Sequence, residues 1–328
     1  MAEGYEALRH GVGAHRLAVD AVAVAGRDAT SYLQGQLSQD VAPLGVGDAA
    51  AALLLEPDGK LSALVRVTRT SDDAYVLDTD AGFGEAVAAR LQRFKLRTKV
   101  AIEQLDWPCV ALRGEGVGGV PGIGEGVGGV PGIGEGVGGA SHGAGPPFVL
   151  AVDWNGVRGV DLLGPGADAL VPADATWCDA AAWEALRVEA GIPKMGAELD
   201  SRTIAAEAHL VERTVSFTKG CYTGQELVAR LDARGSRVAR RLCGVVADDA
   251  GPGEAEELVG AVLWTPDAGK VVGRCTSASW CPGLGQVGAL AYLHRSVEVP
   301  GAVVWARTED VPAARRRPGQ VRALPLVG

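Results

Sequence analysis

The chain has 328 residues, 47% of them hydrophobic and 22% charged, with a formal net charge of −9 at pH 7. That length allows two or three domains of ordinary globular composition, and the acidic balance argues against direct contact with a nucleic-acid backbone. No apolar run reaches the ~18 residues of a membrane span, and the start Met1-Ala-Glu-Gly-Tyr5 lacks the basic-then-apolar pattern of a secretion leader. Six cysteines (Cys109, Cys178, Cys221, Cys243, Cys275 and Cys281) form no C-x-x-C and no zinc-like spacing. Reduced thiols in the cytoplasm are the expectation.

In chain order, Asp28 is placed to cap a helix carrying Leu33 and Leu37 that ends before Pro43. Ala51–Leu55 and Leu61–Thr68 read as strands joined by the turn Glu56-Pro-Asp-Gly-Lys60. Val76–Thr79 follows as a strand. Val87, Leu91 and Phe94 then recur at helical spacing, and Lys99–Ile102 returns to strand. From Gly114 to Gly139 the unit Gly-Glu-Gly-Val-Gly-Gly-Val-Pro-Gly-Ile runs twice and starts a third time. A unit so rich in glycine cannot bury a face, so a flexible surface insertion is expected. Phe148–Val152 and Gly156–Leu163 read as strands. Asp179 is placed to cap a helix carrying Trp183, Leu186 and Ala190, stopped by Gly191 and Pro193. Beyond Leu242 come short strands, Leu242–Val246, Leu258–Trp264, Lys270–Cys275, Gly288–Leu293 and Ala302–Ala306, at the spacing of a small β-barrel or sandwich. Arg315-Arg316-Arg317 and the acids Glu254, Glu256 and Glu257 look solvated.

One segment concentrates chemistry: Lys219-Gly-Cys-Tyr-Thr-Gly-Gln-Glu226. Thr223 and Glu226 have capping-box spacing, so a helix is expected to start at Thr223, with Cys221 just ahead of it. Backbone N–H groups at a helix N-terminus favour an anion, and Lys219 lies two residues away, so a lowered thiol pKa is expected at Cys221. The same residues also suit a small core cysteine beside a surface lysine. The flanking glycines indicate close approach of the backbone to something.

That segment, with Val228-Ala-Arg230, resembles the signature of the YgfZ family, which includes mitochondrial iron–sulfur assembly factors. Tyr32-Leu-Gln-Gly-Gln-Leu-Ser-Gln-Asp40 and Arg187-Val-Glu-Ala-Gly-Ile-Pro193 resemble further family segments. The resemblance implies an α+β fold of the wider GcvT-like aminomethyltransferase superfamily, a ring of domains around a central folate channel. Residues 1–240 would form two interleaved subdomains, with the insertion at 114–139, and residues 241–328 a C-terminal β-barrel. It implies tetrahydrofolate, or a one-carbon derivative, as cofactor. Glu189 matches the carboxylate that grips the pterin, and Trp183 an aromatic lining the site. Tyr222, Gly224, Gln225, Glu226 and Arg230 are carried over as cofactor contacts, with Cys221 and Lys219 as the reactive pair. Iron–sulfur client proteins, including tRNA-modifying enzymes, are the implied partners.

In one respect the chain departs from the aminomethyltransferases. Their Asn-Ala-x-Asn stretch and following catalytic Asp correspond here to Leu77-Asp-Thr-Asp-Ala-Gly-Phe-Gly-Glu85. The asparagines are missing, and Asp80 or Glu85 is a loose substitute for the acid. Three functions follow: a folate-binding accessory factor for iron–sulfur enzymes, a folate-dependent aminomethyltransferase or demethylase, and a folate-binding scaffold without chemistry. The histidines form no spaced pair, so no metal site is expected.

Overall fold

The computed structural model describes residues 2–120, 147–248, 250–266, 269–307 and 317–327. The glycine repeat from residue 121 onward, His142, Arg315 and Arg316 lie outside them.

In chain order the elements are α1 (Ala2–His10), β1 (Gly13–Leu17), β2 (Val19–Ala25), α2 (Ala29–Gln36), β3 (Ala49–Leu55), β4 (Leu61–Ser71), β5 (Ala74–Asp80), α3 (Gly84–Phe94), β6 (Ala101–Leu105) and β7 (Cys109–Arg113). Then follow β8 (Phe148–Trp154), β9 (Val157–Leu163), β10 (Thr176–Trp177), α4 (Ala180–Ala190), α5 (Val211–Thr214) and α6 (Gln225–Asp232). The last six strands are β11 (Arg240–Ala247), β12 (Val262–Trp264), β13 (Val271–Cys281), β14 (Gln286–His294), β15 (Val303–Arg307) and β16 (Arg317–Arg322).

Three β bodies result. One five-stranded sheet has the order β3-β4-β5-β2-β6, a second the order β10-β1-β7-β9-β8, and β11-β14-β13-β12-β15-β16 close into a barrel. The expected α+β architecture with a C-terminal barrel is therefore present, and closure leaves the barrel without an exposed edge. On β4 the alternating Leu61, Ala63, Val65 and Val67 point into the core, as period-2 patterning requires. The main core joins α2 and β3–β5 to Val188 of α4 and to Leu242, Leu290 and Tyr292 of the barrel. Between the two sheets, Ala21, Ala23 and Val76 meet Cys109, Leu150 and Leu163.

The turn at Glu56–Lys60 forms as expected: the Glu56 N–H donates to the Lys60 carbonyl at 2.9 Å and Gly59 takes φ 82°. Asp179 caps α4, its Oδ1 accepting the Ala182 N–H at 2.7 Å, and Gly191 at φ 67° ends that helix. Asp28 occupies the N-cap position of α2 but makes no cap bond, because its Oδ2 accepts the Lys99 N–H at 2.6 Å instead. Arg317 is no solvated tail: it opens β16 and pairs with Glu254. The sequence reading did not assign α1, β1, β2 and β7, each too short for its own pattern to decide the element. They are built by pairing, β1 with β7 and β10, and β2 with β5 and β6.

Candidate functional site

The segment 219–226 forms an arch over the C-terminal end of α2. Lys219 is half-buried, and its Nζ donates to the carbonyls of Gln34 (2.8 Å), Leu37 (2.8 Å) and Gln39 (3.0 Å). An ammonium has three donors, and all three are engaged here. Burial pushes the Lys219 pKa down to about 8, against the opposing charge of Asp40. The three converging carbonyls favour the charged form, since a neutral amine offers only two N–H groups. All three Lys219 donors thus go to the C-terminal end of α2 and the residues just beyond it.

Helix α6 starts at Gln225 with Gly224 as N-cap at φ 83°, not at Thr223. Thr223 turns away from the helix, its N–H and Oγ1 both donating to the Gly35 carbonyl, at 3.1 and 3.4 Å. The Gln225 side chain reaches back to accept the Tyr222 N–H at 3.2 Å. A Cβ on Gly224 would stand 2.5 Å from the Glu56 carbonyl oxygen and 2.7 Å from Leu55 Cβ. The close approach signalled by this glycine is therefore to the β3–β4 turn. Tyr222 packs into the main core, with Lys219 Nζ 5.3 Å from its ring centroid, while Glu226 and Arg230 lie on the exposed face of α6.

Cys221 sits at the crest of the arch and is exposed, whereas the other five cysteines are buried. Burial pushes the thiol of Cys243 up to about 11 and those of Cys275 and Cys281 up to about 12; Cys109 and Cys178 are also raised by burial.

Glu189 lies elsewhere. Its side chain is fully buried and accepts from the Tyr5 hydroxyl (2.6 Å), Arg9 Nη2 (2.5 Å) and the Gly283 N–H (2.9 Å). It ties α1, α4 and the loop before β14 together. Burial, and then Glu189, push the Tyr5 pKa up. Arg187, two residues before Glu189 in the chain, faces other groups: Glu184, Glu198 Oε2 at 2.9 Å and Ser277 Oγ at 2.6 Å. Tyr5 and Arg9 lie one turn apart on α1, and no local pattern in the sequence points from them to Glu189. None of the hydrogen bonds of the 219–226 arch reaches Glu189 or Trp183, so the two halves of the expected site are not joined by direct bonds.

Between the two sheets lies a buried charge cluster that sequence reasoning missed. Arg66 of β4 holds Asp78 of β5 in a fork (3.0 and 2.9 Å) and reaches Asp161 of β9 at 2.5 Å. Arg113 of β7 donates to the other Asp161 oxygen at 2.7 Å. Burial opposes both carboxylate charges. Two guanidiniums hold Asp161 below its ordinary range, while the single one on Asp78 leaves that group raised. The cluster continues to Trp183: Arg113 lies 5.4 Å from its ring centroid, and His15 stacks on it at 5.0 Å.

Asp80 ends β5 two residues beyond Asp78. Its Oδ2 accepts the Met195 N–H at 2.8 Å. Burial raises its pKa against the opposing pulls of that bond, Lys194 and Arg187. Glu85 is exposed on α3, which leaves Asp80 as the enclosed acid of the pair. A pterin edge presents N–H donors, so a folate site needs a carboxylate with an acceptor to spare near an aromatic face. Glu189 already accepts from three protein donors, the Tyr5 hydroxyl, Arg9 and the Gly283 N–H. Asp80 Oδ2 is taken by Met195, and half-buried Trp183 stands on α4 against His15 and Arg113. Among the described residues no group of three or more His, Cys, Asp or Glu is placed to hold a metal ion, and no helix is long and apolar enough to cross a membrane.

No family model matches the chain. It is 31% identical over 222 residues to the tRNA-modifying protein YgfZ of Edwardsiella ictaluri, covering 65% of this chain and 64% of that protein, a little under two thirds of the relative's length. It is 26% identical over 310 residues to an aminomethyltransferase of Exiguobacterium sibiricum, covering 89% and 83% of the two chains. The crystal structure of glycine cleavage system aminomethyltransferase T from Bartonella henselae superposes with a TM-score of 0.81 at 22% identity, over 99% of this chain and 89% of that one. In sequence the chain is thus similar to YgfZ-type proteins and to aminomethyltransferases, and its fold is that of the aminomethyltransferase T structure.

Proposed function

We propose that this protein is a tetrahydrofolate-binding accessory factor that supports iron–sulfur enzymes, tRNA-modifying ones among them, and that it works in the cytoplasm through the thiol of Cys221. The observation that carries the proposal is the arch: signature residues Lys219, Tyr222, Thr223 and Gly224 are all used to hold one exposed cysteine over α2 and the β3–β4 turn. The relatives named as tRNA-modifying proteins support the same direction. The net charge of −9 favours an enzyme client over the RNA itself as the partner. With a domain boundary near residue 240, folate is assigned to the α+β region, where Asp80 and Trp183 would meet the pterin and Glu189 would hold the surrounding frame.

The test has two arms. Calorimetry with tetrahydrofolate should show binding to the wild type and weaker binding to Asp80→Asn. An iron–sulfur tRNA-modifying enzyme, assayed in a strain lacking this protein, should recover with the wild type but not with Cys221→Ser. Absence of folate binding removes the cofactor from the proposal, and full recovery with Cys221→Ser removes the thiol.

A second function, aminomethyl transfer, is favoured by one observation: Asp80 is enclosed with a raised pKa, as a proton-accepting carboxylate would be. Folate-dependent turnover of a lipoyl-bound aminomethyl donor, lost in Asp80→Asn, would establish it.

A further inference from the structure

We infer that Lys219 is a positioning residue: its ammonium closes the C-terminal end of α2 and thereby fixes the arch that presents Cys221. The geometry of the clamp stands by itself, and its functional meaning rests on the role proposed for Cys221. The last four carbonyls of a helix lack intrahelical partners. In α2 the carbonyl of Leu33 receives the Leu37 N–H, that of Gln34 receives Lys219 and that of Gly35 receives Thr223. Lys219 also takes the Leu37 and Gln39 carbonyls just beyond the helix. A cation at this end is favoured by the helix dipole. The arch is pinned at Lys219 and again at Thr223, with the thiol midway between.

All three donors of Lys219 are engaged by carbonyls, so the hydrogen bonds it makes hold backbone. The role assigned to it is therefore mechanical. Removing the ammonium should release the arch.

Lys219→Met keeps the apolar stem and removes every donor, and Lys219→Arg keeps the charge. Hydrogen exchange read by mass spectrometry should show the amides of 220–224 exchanging at least tenfold faster in Lys219→Met. Peptides of α4 and the barrel should stay unchanged, and Lys219→Arg should restore most of the protection. Iodoacetamide labelling of the wild type, read by peptide mass spectrometry, tests the proposed thiol separately. Unchanged exchange at 220–224, or acceleration spread evenly over the molecule, overturns the inference. If the Met variant does not fold, Lys219→Gln, with two donors, is read by the same criteria. Should a cysteine other than Cys221 label first, the proposed function fails while the clamp is still decided by exchange.

Discussion

Replacing Glu189 by alanine separates a structural tie from a ligand contact. The substitution removes the acceptor for the Tyr5 hydroxyl, Arg9 and the Gly283 N–H at once. It strands a guanidinium whose side chain is only 16% exposed. Breaking a buried pair by deleting one partner costs about 3–5 kcal/mol. Unfolding entropy is roughly 2.1 cal/mol/K per residue, so a 328-residue chain unfolding as one unit has about 0.7 kcal/mol/K. The expected fall in Tm is therefore about 4–7 °C, measured by calorimetry at neutral pH. Arg9→Met should lose a similar amount, and the double variant clearly less than the sum, because the two residues share one contact. Tetrahydrofolate affinity, measured well below the transition, should change little. A Glu189→Ala protein with an unchanged Tm and folate binding weakened by tenfold or more would refute this reasoning and return Glu189 to the pterin.

Cys221 should be the first of the six thiols labelled by iodoacetamide at pH 7.5, because the other five are buried with raised pKa values; earlier labelling of Cys109 or Cys275 in peptide mass spectra would contradict this. Arg66→Met leaves Asp78 and Asp161 short of a partner between the two sheets, so denaturant unfolding should show a loss of about 3–5 kcal/mol. Asp80→Asn should stabilise the protein at pH 7. A carboxylate whose pKa is raised by folding contributes stability below its unfolded value and loses it as pH rises through the folded value, so the variant's advantage should shrink as pH falls toward 4. A wild type more stable than Asp80→Asn at pH 7 would show that the carboxylate's bond to Met195 outweighs its burial. Glu85→Gln, on the exposed face of α3, should leave stability and folate affinity unchanged in the same assays.

Local chemistry made much of this protein legible from its sequence. The turn Glu56-Pro-Asp-Gly-Lys60, the cap at Asp179, the stop at Gly191 and the alternation on β4 are each decided within a few residues. The series of short apolar strands after Leu242 indicated a barrel or sandwich, and the 219–226 segment carried the resemblance to YgfZ-type proteins. Tertiary structure decided where the charges went. Asp28 had the right position for a cap, but the Lys99 N–H from the loop before β6 claimed its oxygen. Lys219 is two residues from Cys221 in the chain, yet the helix end 180 or more residues earlier takes all its donors. Glu189 finds its base in Arg9 rather than in nearby Arg187, and Arg66 joins acids from two sheets. Buried polar groups must be matched wherever the fold brings partners together, and those partners lie at sequence separations that no local pattern encodes.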